Sequence, residues 1–145
     1  MKNKAVEINI VDFIKENTKY DCLYWYPLNV PVTDMPVIAY DIDKIYDKQD
    51  IDYLRQVMDK CSIIHAERFQ MGSSEYTEKV NLLKLLYEKD EDGYNFPWCV
   101  EAFYFDQSRT WMIYVSHEGT ITFTGCDIVD AAGTIIPDEY LYCLC

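Results

Sequence analysis

The stretch from Trp98 to Gly125 constrains the fold more than any other part of the chain. It contains three runs of β-branched and aromatic residues, and short polar turns at Gln107-Ser108 and at His117-Glu118-Gly119 separate these runs. Runs of this kind, bounded by turn residues, are typical of antiparallel strands joined by hairpins. The sequence therefore predicts a β-meander around which the rest of the chain is organised.

Side-chain alternation predicts which residues of the meander share a face, because successive strand residues point to opposite sides of a sheet. If the first turn has two residues, Tyr104 lies opposite Trp111. If the second loop has three residues and ends with Gly119 in the left-handed conformation, Val115 lies opposite Ile121. One face is then continuous and apolar: Val100, Ala102, Tyr104, Trp111, Ile113, Val115, Ile121 and Phe123. The second face carries Glu101, Phe103, Phe105, Met112 and Tyr114 together with threonines.

Apolar residues at helical spacing predict three helices outside the meander, at residues 5–18, 50–61 and 75–88. The apolar stripe of the third segment is the widest, so we expect this helix to be the longest. Short strands are predicted over Val37–Ile42 and Ser62–Phe69.

The pattern weakens beyond Gly125, where Gly133 and Pro137 indicate turns and residues 140–145 indicate a last strand or turn. The predicted fold is α+β, with an antiparallel or mixed sheet built on a β-meander in the C-terminal half and about three helices packed mainly on one face. At 145 residues, without a linker or internal repeat, we expect a single domain over residues 1–145.

The charge balance restricts the classes of partner. The chain has 13 Lys and Arg residues against 25 Asp and Glu residues, so its net charge is -12 at pH 7. An acidic surface repels phosphate backbones and attracts basic surfaces, which argues against nucleic acid and favours a basic protein partner. No apolar segment of membrane-spanning length and no apolar leader after Met1 are present. We therefore expect a cytoplasmic protein that does not bind membranes.

The cysteines and glycines do not predict a metal or a cofactor. In the expected cytoplasmic setting the six cysteines are reduced and act mainly as small apolar residues. Cys143 and Cys145, with only His65 and His117 as nitrogen donors, do not form a recognisable zinc motif. The five glycines lack the spacing of a phosphate-binding loop.

A catalytic set is not predicted, although one arrangement remains as an alternative. Cys99 begins the first meander strand and His117 follows the second. The predicted register places Trp98 opposite His117, so the Cys99 thiol lies on the other face and out of reach of the base. The alternative is a small hydrolase or transferase that uses Cys99, His117 or Glu118.

The second face of the meander is the predicted contact surface. Three short helices are expected to cover only the first face, which leaves aromatic and methionine side chains beside a carboxylate, as in many protein interfaces. The predicted partner-binding residues are Glu101, Phe103, Met112, Tyr114, His117 and Glu118. A further alternative is a structural protein that forms homo-oligomers through this face.

The run from Phe96-Pro-Trp98 through Trp111–Phe123 resembles the sheet of small acidic bacterial proteins of polymorphic toxin systems, the immunity proteins. The resemblance implies a non-enzymatic protein that neutralises a toxin by covering its active site, with acidic residues facing a basic substrate cleft. The resulting hypothesis is a cytoplasmic protein-binding domain, most specifically an immunity-type inhibitor of a toxin.

Overall fold

A computed structural model describes residues 37–47, 51–70, 78–87, 102–108, 110–115 and 119–142. Within these ranges the strands are β1 (Val37–Asp41), β2 (His65–Gln70), β3 (Glu78–Asn81), β4 (Ala102–Phe105), β5 (Met112–Val115) and β6 (Thr120–Thr124). The helices are α1 (Ile42–Asp47), α2 (Asp52–Lys60), α3 (Leu82–Tyr87) and α4 (Cys126–Ile135), followed by a 3₁₀ helix at Asp138–Tyr140.

The strands form one open antiparallel sheet with the order β1-β6-β5-β4-β2-β3. The predicted meander is its centre, because β4, β5 and β6 follow one another in the chain and lie side by side. Strands β1 and β2–β3 extend the sheet on either side of the meander. The predicted α+β class and the antiparallel sheet are confirmed.

The predicted register between β5 and β6 is correct. Val115 lies opposite Ile121, and Ile113 lies opposite Phe123. Gly119, immediately before β6, has a φ of 84°, which is the left-handed conformation expected at the end of the second loop. The length of the loop and the alternation of the two strands therefore agree.

The predicted register between β4 and β5 is wrong by two residues. Tyr104 lies opposite Ile113 instead of Trp111, and pairing stops at Phe105 and Met112. The connection is longer than a two-residue turn because Asp106 accepts hydrogen bonds from Ser108 and from the Trp111 indole. A shift of two residues keeps each side chain on its predicted face.

The main hydrophobic core lies between the first face of the meander and the helices. All four described helices contribute to it, as do the first-face residues of β4, β5 and β6. Trp111 and Ile113 are buried as predicted. The largest side chains that the sheet and the helices contribute to this core include Tyr40, Ile45, Leu54, Met58, Tyr104 and Phe123. Helix packing on one face is therefore confirmed for the described part of the chain.

The predicted long helix over 75–88 is wrong. Glu78–Asn81 forms a strand, in which Val80 pairs with Ala66, and only Leu82–Tyr87 is helical. The Asn81 side chain accepts a 3.0 Å hydrogen bond from the Lys84 amide, so it caps the helix at its N-terminus. Pairing with β2 therefore overrides the helical spacing of the apolar residues before Leu82.

The same transition occurs at the opposite edge of the sheet. Strand β1 ends at Asp41, whose carboxylate accepts a 3.0 Å hydrogen bond from the Lys44 amide at the start of α1. The Ile42 amide then donates to the Gly119 carbonyl at 2.9 Å. Each edge strand thus passes directly into a short helix capped by the last residue of the strand. The predicted strand over Val37–Ile42 is correct except for its last residue.

Helix α4 was not predicted, and the segment was expected to contain turns. Gly133 lies inside this helix, where a methyl group in place of its hydrogen would meet no atom within 4 Å. Ile128, Ala131 and Ala132 bury one side of the helix in the core. The chain ends its described part beside β1, with the Tyr142 amide donating to the Ala39 carbonyl at 3.0 Å.

Other predicted elements have mixed outcomes. Helix α2 lies within the predicted segment 50–61, and β2 overlaps the predicted strand Ser62–Phe69 from His65 onward and extends to Gln70. Strand β2 starts only at His65 because the residues after Lys60 are used to end α2. The predicted helix at residues 5–18 lies outside the described residues.

Candidate functional site

The predicted contact surface on the second face is not exposed. Phe103, Met112 and Tyr114 are 0%, 1% and 2% exposed, respectively. The Phe103 and Tyr114 rings stack across β4 and β5, with centroids 4.6 Å apart and an interplanar angle of 25°. Burial of such large apolar side chains is what the hydrophobic effect favours, and the prediction that they are partly exposed is wrong. In this conformation they cannot contact a partner.

The remaining predicted site residues lie outside the described residues. These are Glu101, His117 and Glu118 of the predicted contact surface, and Cys99 of the alternative catalytic set. The predictions that concern them therefore remain predictions.

A different site is formed at the end of α2. A cleft of about 360 Å³ lies between the turn that follows this helix, the residues before β5 and the first turns of α4. The turn contributes Cys61 and Ser62, the residues before β5 contribute Trp111, and α4 contributes Asp127 and Asp130. We call this cavity the Trp111 cleft.

The turn after α2 is held by two backbone hydrogen bonds. The Ile63 amide donates to the Met58 carbonyl at 2.9 Å, and the Ser62 amide donates to the Asp59 carbonyl at 3.1 Å. This is the Schellman arrangement, in which the residue after the helix takes a left-handed conformation and is usually glycine. Here Ser62 takes it, with a φ of 56°. A side chain bearing a hydroxyl is therefore held at the cleft in a conformation that costs a non-glycine residue free energy.

Gly125 brings α4 close to the opposite wall of the cleft. Its φ is 124°, and a Cβ at this position would lie 2.3 Å from the Thr110 carbonyl oxygen and 3.0 Å from the Trp111 Cα. Only glycine permits this approach, because both neighbouring atoms belong to the backbone. The first turns of α4 consequently lie directly beside Trp111.

A hydrogen bond from the Trp111 indole to a residue outside the cleft fixes the position of the ring. Its indole Nε1 donates to the Asp106 Oδ2 at 2.9 Å, while the side chain as a whole is buried. The same carboxylate accepts a 2.9 Å hydrogen bond from the Ser108 amide through Oδ1. The ring therefore contributes a preorganised aromatic wall, whose polar group already has its partner.

The pKa of the Cys61 thiol is shifted by burial and by charged residues of the cleft. Burial raises the pKa of Cys61, Asp127 raises it further, and Lys60 lowers it by a smaller amount. The thiol is therefore protonated at neutral pH and is a weak nucleophile. Asp127 therefore affects the Cys61 pKa more than Lys60 does.

Helix α2 carries two further carboxylates, which do not line the cleft. Arg55 donates from Nε to Asp52 at 2.6 Å and also pairs with Asp59. The hydrogen bond from Arg55, followed by one from Tyr87, holds the pKa of Asp52 well below its usual range. Helix α2 therefore carries two acids, Asp52 and Asp59, against two cations, Arg55 and Lys60.

Neither a metal centre nor a membrane helix is apparent in the described part of the chain. No group of three or more His, Cys, Asp and Glu residues is arranged there to hold a metal ion. None of the helices in the same ranges is long and apolar enough to cross a bilayer. Comparison with protein-family models, with curated proteins and with solved structures found no match to this chain.

The Trp111 cleft could not be predicted without α4, which supplies one of its walls. Asp127 and Asp130 are three residues apart and gain a shared helix face only if this segment is helical. A signal was present, since Ile128, Ala131, Ala132 and Ile135 recur at helical spacing. Gly133 was interpreted as a turn, although one exposed glycine can be tolerated within a helix.

Proposed function

We propose that this chain is a non-enzymatic cytoplasmic protein that binds a basic protein partner, most specifically as an immunity-type inhibitor of a toxin. The observation that carries the proposal is the excess of carboxylates on the packed helices α2 and α4. Together they carry Asp52, Asp59, Asp127 and Asp130 against Arg55 and Lys60, and the excess comes from Asp127 and Asp130 of α4. We call these two helical surfaces together the acidic face.

Two properties of the acidic face suit recognition of a basic surface. Helices α2 and α4 pack against each other, so the relative positions of their carboxylates are fixed before a partner arrives. The chain as a whole has a net charge of -12, which would accelerate encounter with a basic protein at low ionic strength. An inhibitor that must reach a toxin quickly benefits from both properties.

The thiols support a binding role and a reducing compartment. Cys61 and Cys126 are free cysteines. Since the Cys61 pKa is raised, this thiol lacks the activation that a catalytic cysteine requires. The free thiols fit the cytoplasm, where disulfide bonds are rare.

The proposal is tested by co-expression with a basic toxin domain encoded next to the gene for this chain. We expect the wild-type chain to restore growth and to form a complex with the toxin. The charge-reversed variant Asp59→Lys/Asp130→Lys should lose both properties. The matched control Asp138→Lys/Glu139→Lys changes the same number of exposed acids on the 3₁₀ helix and should retain both.

Three results would overturn the proposal. One is failure of the wild-type chain to protect, and another is equal loss of protection in both charge-reversed variants, provided that both remain folded. The third is covalent modification or cleavage of the toxin by catalytic amounts of the purified chain. The third result would favour the alternative enzyme that uses Cys99, His117 or Glu118.

A further inference from the structure

We propose that the Trp111 cleft binds the side chain of a single arginine or lysine supplied by the basic partner. The identity of the partner rests on the proposed function, but the chemistry of the cleft can be tested without it. The inference follows from the size, charge and apolar walls of the cleft, taken in turn.

The size of the cleft suits one long side chain. Its volume of about 360 Å³ is at the small end of the range for ligand-binding clefts. It lies at one end of α2, and the Asp59 carboxylate of the acidic face belongs to the last turn of the same helix. A residue inserted there would be an anchor within a larger electrostatic contact, the arrangement in which buried arginines dominate binding energy.

The charge of the cleft favours a cation. Asp127 and Asp130 lie three residues apart on α4 and both line the cleft, whereas Lys60 is the single cation among the lining residues. The effect on the Cys61 thiol agrees, since Asp127 acts on it more strongly than Lys60 does. An anionic ligand would meet two carboxylates and is disfavoured.

The apolar walls match the stem of a basic side chain. The Trp111 indole provides a rigid aromatic surface, and Ile63, Ile128 and Ala131 line the cleft beside it. Arginine and lysine bury their methylene groups against such surfaces while the charged group reaches polar partners.

A divalent metal fits the site less well than an organic cation. Asp127 and Asp130 supply two carboxylates, whereas calcium takes six to eight oxygen ligands and magnesium near-ideal octahedral geometry. Within the described residues no third acidic, histidine or cysteine ligand completes such a group. An organic cation can be held by two carboxylates and needs no complete shell of oxygen ligands.

The decisive experiment titrates the full chain with N-acetyl-L-arginine amide and follows amide and indole signals by ¹⁵N NMR. N-acetyl-L-citrulline amide, which has nearly the same shape and no charge, is the matched control ligand. We expect saturable shifts of the Trp111 indole N–H and of residues 61–63 and 127–131, with a Kd on the order of 1 mM, as is typical for one side chain. Citrulline amide should bind at least tenfold more weakly.

Protein variants separate the cleft from general acidity. Asp127→Asn/Asp130→Asn should weaken arginine-amide binding about tenfold or more, and Asp130→Asn alone should weaken it by a smaller factor if the double variant unfolds. Asp138→Asn/Glu139→Gln removes two exposed charges elsewhere and should change the Kd less than twofold. Non-saturable shifts, equal binding of citrulline amide, or equal effects of the two double variants would each overturn the inference.

The outcome is independent of the test of the proposed function. Protection against a toxin without binding of arginine amide would overturn the Trp111 cleft as an anchor and leave the inhibitor role intact. Binding of arginine amide by a chain that protects against no toxin would support the Trp111 cleft as a site for a basic side chain and overturn the inhibitor role.

Discussion

The indole of Trp111 donates a 2.9 Å hydrogen bond to the carboxylate of Asp106, five residues earlier in the chain. The same carboxylate accepts the Ser108 amide, so one side chain organises the connection between β4 and β5. This relationship explains both the length of the connection and the fixed position of the aromatic wall of the cleft.

Asp106→Ala should lower the free energy of unfolding by about 1–3 kcal/mol, because it leaves the donors of Ser108 and Trp111 without their acceptor. Denaturant titration measures this loss. Asp106→Asn is the matched control, since its amide oxygen still accepts one of the bonds, and it should lose less. Equal stability of the alanine variant and the wild type would mean that the carboxylate does not hold the loop.

Ser62→Gly should stabilise the chain by up to about 1 kcal/mol. Ser62 has a φ of 56°, a conformation that glycine adopts without the steric cost of a Cβ. Ser62→Ala retains this cost and should change stability by less than about 0.5 kcal/mol. Thermal unfolding of the three proteins ranks them, and a glycine variant less stable than the alanine variant would contradict the expectation.

Replacement of glycine by alanine should have opposite effects on stability at Gly125 and at Gly133. Gly125→Ala places a Cβ 2.3 Å from the Thr110 carbonyl oxygen at a φ of 124°, so we expect a loss of more than about 2 kcal/mol. Gly133→Ala meets no atom within 4 Å and lies in α4, so it should gain about 0.5–1 kcal/mol. A gain at Gly125 or a clear loss at Gly133 in denaturant titration would contradict the described packing of α4.

Ile113→Ala should cost about 2–5 kcal/mol, because its side chain is fully buried at the centre of the sheet and its removal leaves a cavity. Ile64→Ala is the matched control, since Ile64 is 49% exposed and should lose less than about 0.5 kcal/mol. Chemical unfolding of both variants measures the difference. Similar losses at the two positions would place Ile113 outside the core.

The raised pKa of Tyr40 should make the free energy of unfolding fall between pH 10 and pH 12. Burial, followed by the nearby charge of Asp138, raises the pKa of Tyr40 from 10.0 to about 12. In this window the unfolded chain has released the proton while the folded chain retains it, so rising pH favours unfolding. Below pH 10 both states hold the proton and the contribution is fully present.

Urea unfolding of wild type and Tyr40→Phe from pH 9 to pH 12 isolates this group from the other tyrosines. The wild type should lose stability relative to the variant only above pH 10. A constant difference across the whole range would show that the folded and unfolded pKa values of Tyr40 are the same.

The sequence contained the information for the meander but not for all of its pairing. Alternation of side chains assigned the faces correctly, and Gly119 identified the second loop. The β4–β5 register depends on hydrogen bonds that the Asp106 carboxylate accepts, and side-chain alternation carries no information about them. Strand β3 depended on pairing with β2, a tertiary contact that propensity over residues 75–88 cannot show.

The candidate site was less predictable than the fold for a related reason. Exposure of Phe103, Met112 and Tyr114 was inferred from the number of predicted helices, whereas burial depends on everything that packs on the sheet. The Trp111 cleft joins residues from three distant segments around 61, 111 and 127. Only the positions of α2 and α4 against the meander bring these segments together.

The ends of the sheet have a consequence for solubility. At one end, the Ala39 carbonyl of β1 already accepts the Tyr142 amide, and Tyr40 forms a bridge with Leu141. At the other end, β3 is four residues long and exposes Glu78 and Lys79. An occupied edge and a short charged edge are poor templates for an incoming strand. Both features oppose edge-to-edge association of this sheet with a strand of another chain.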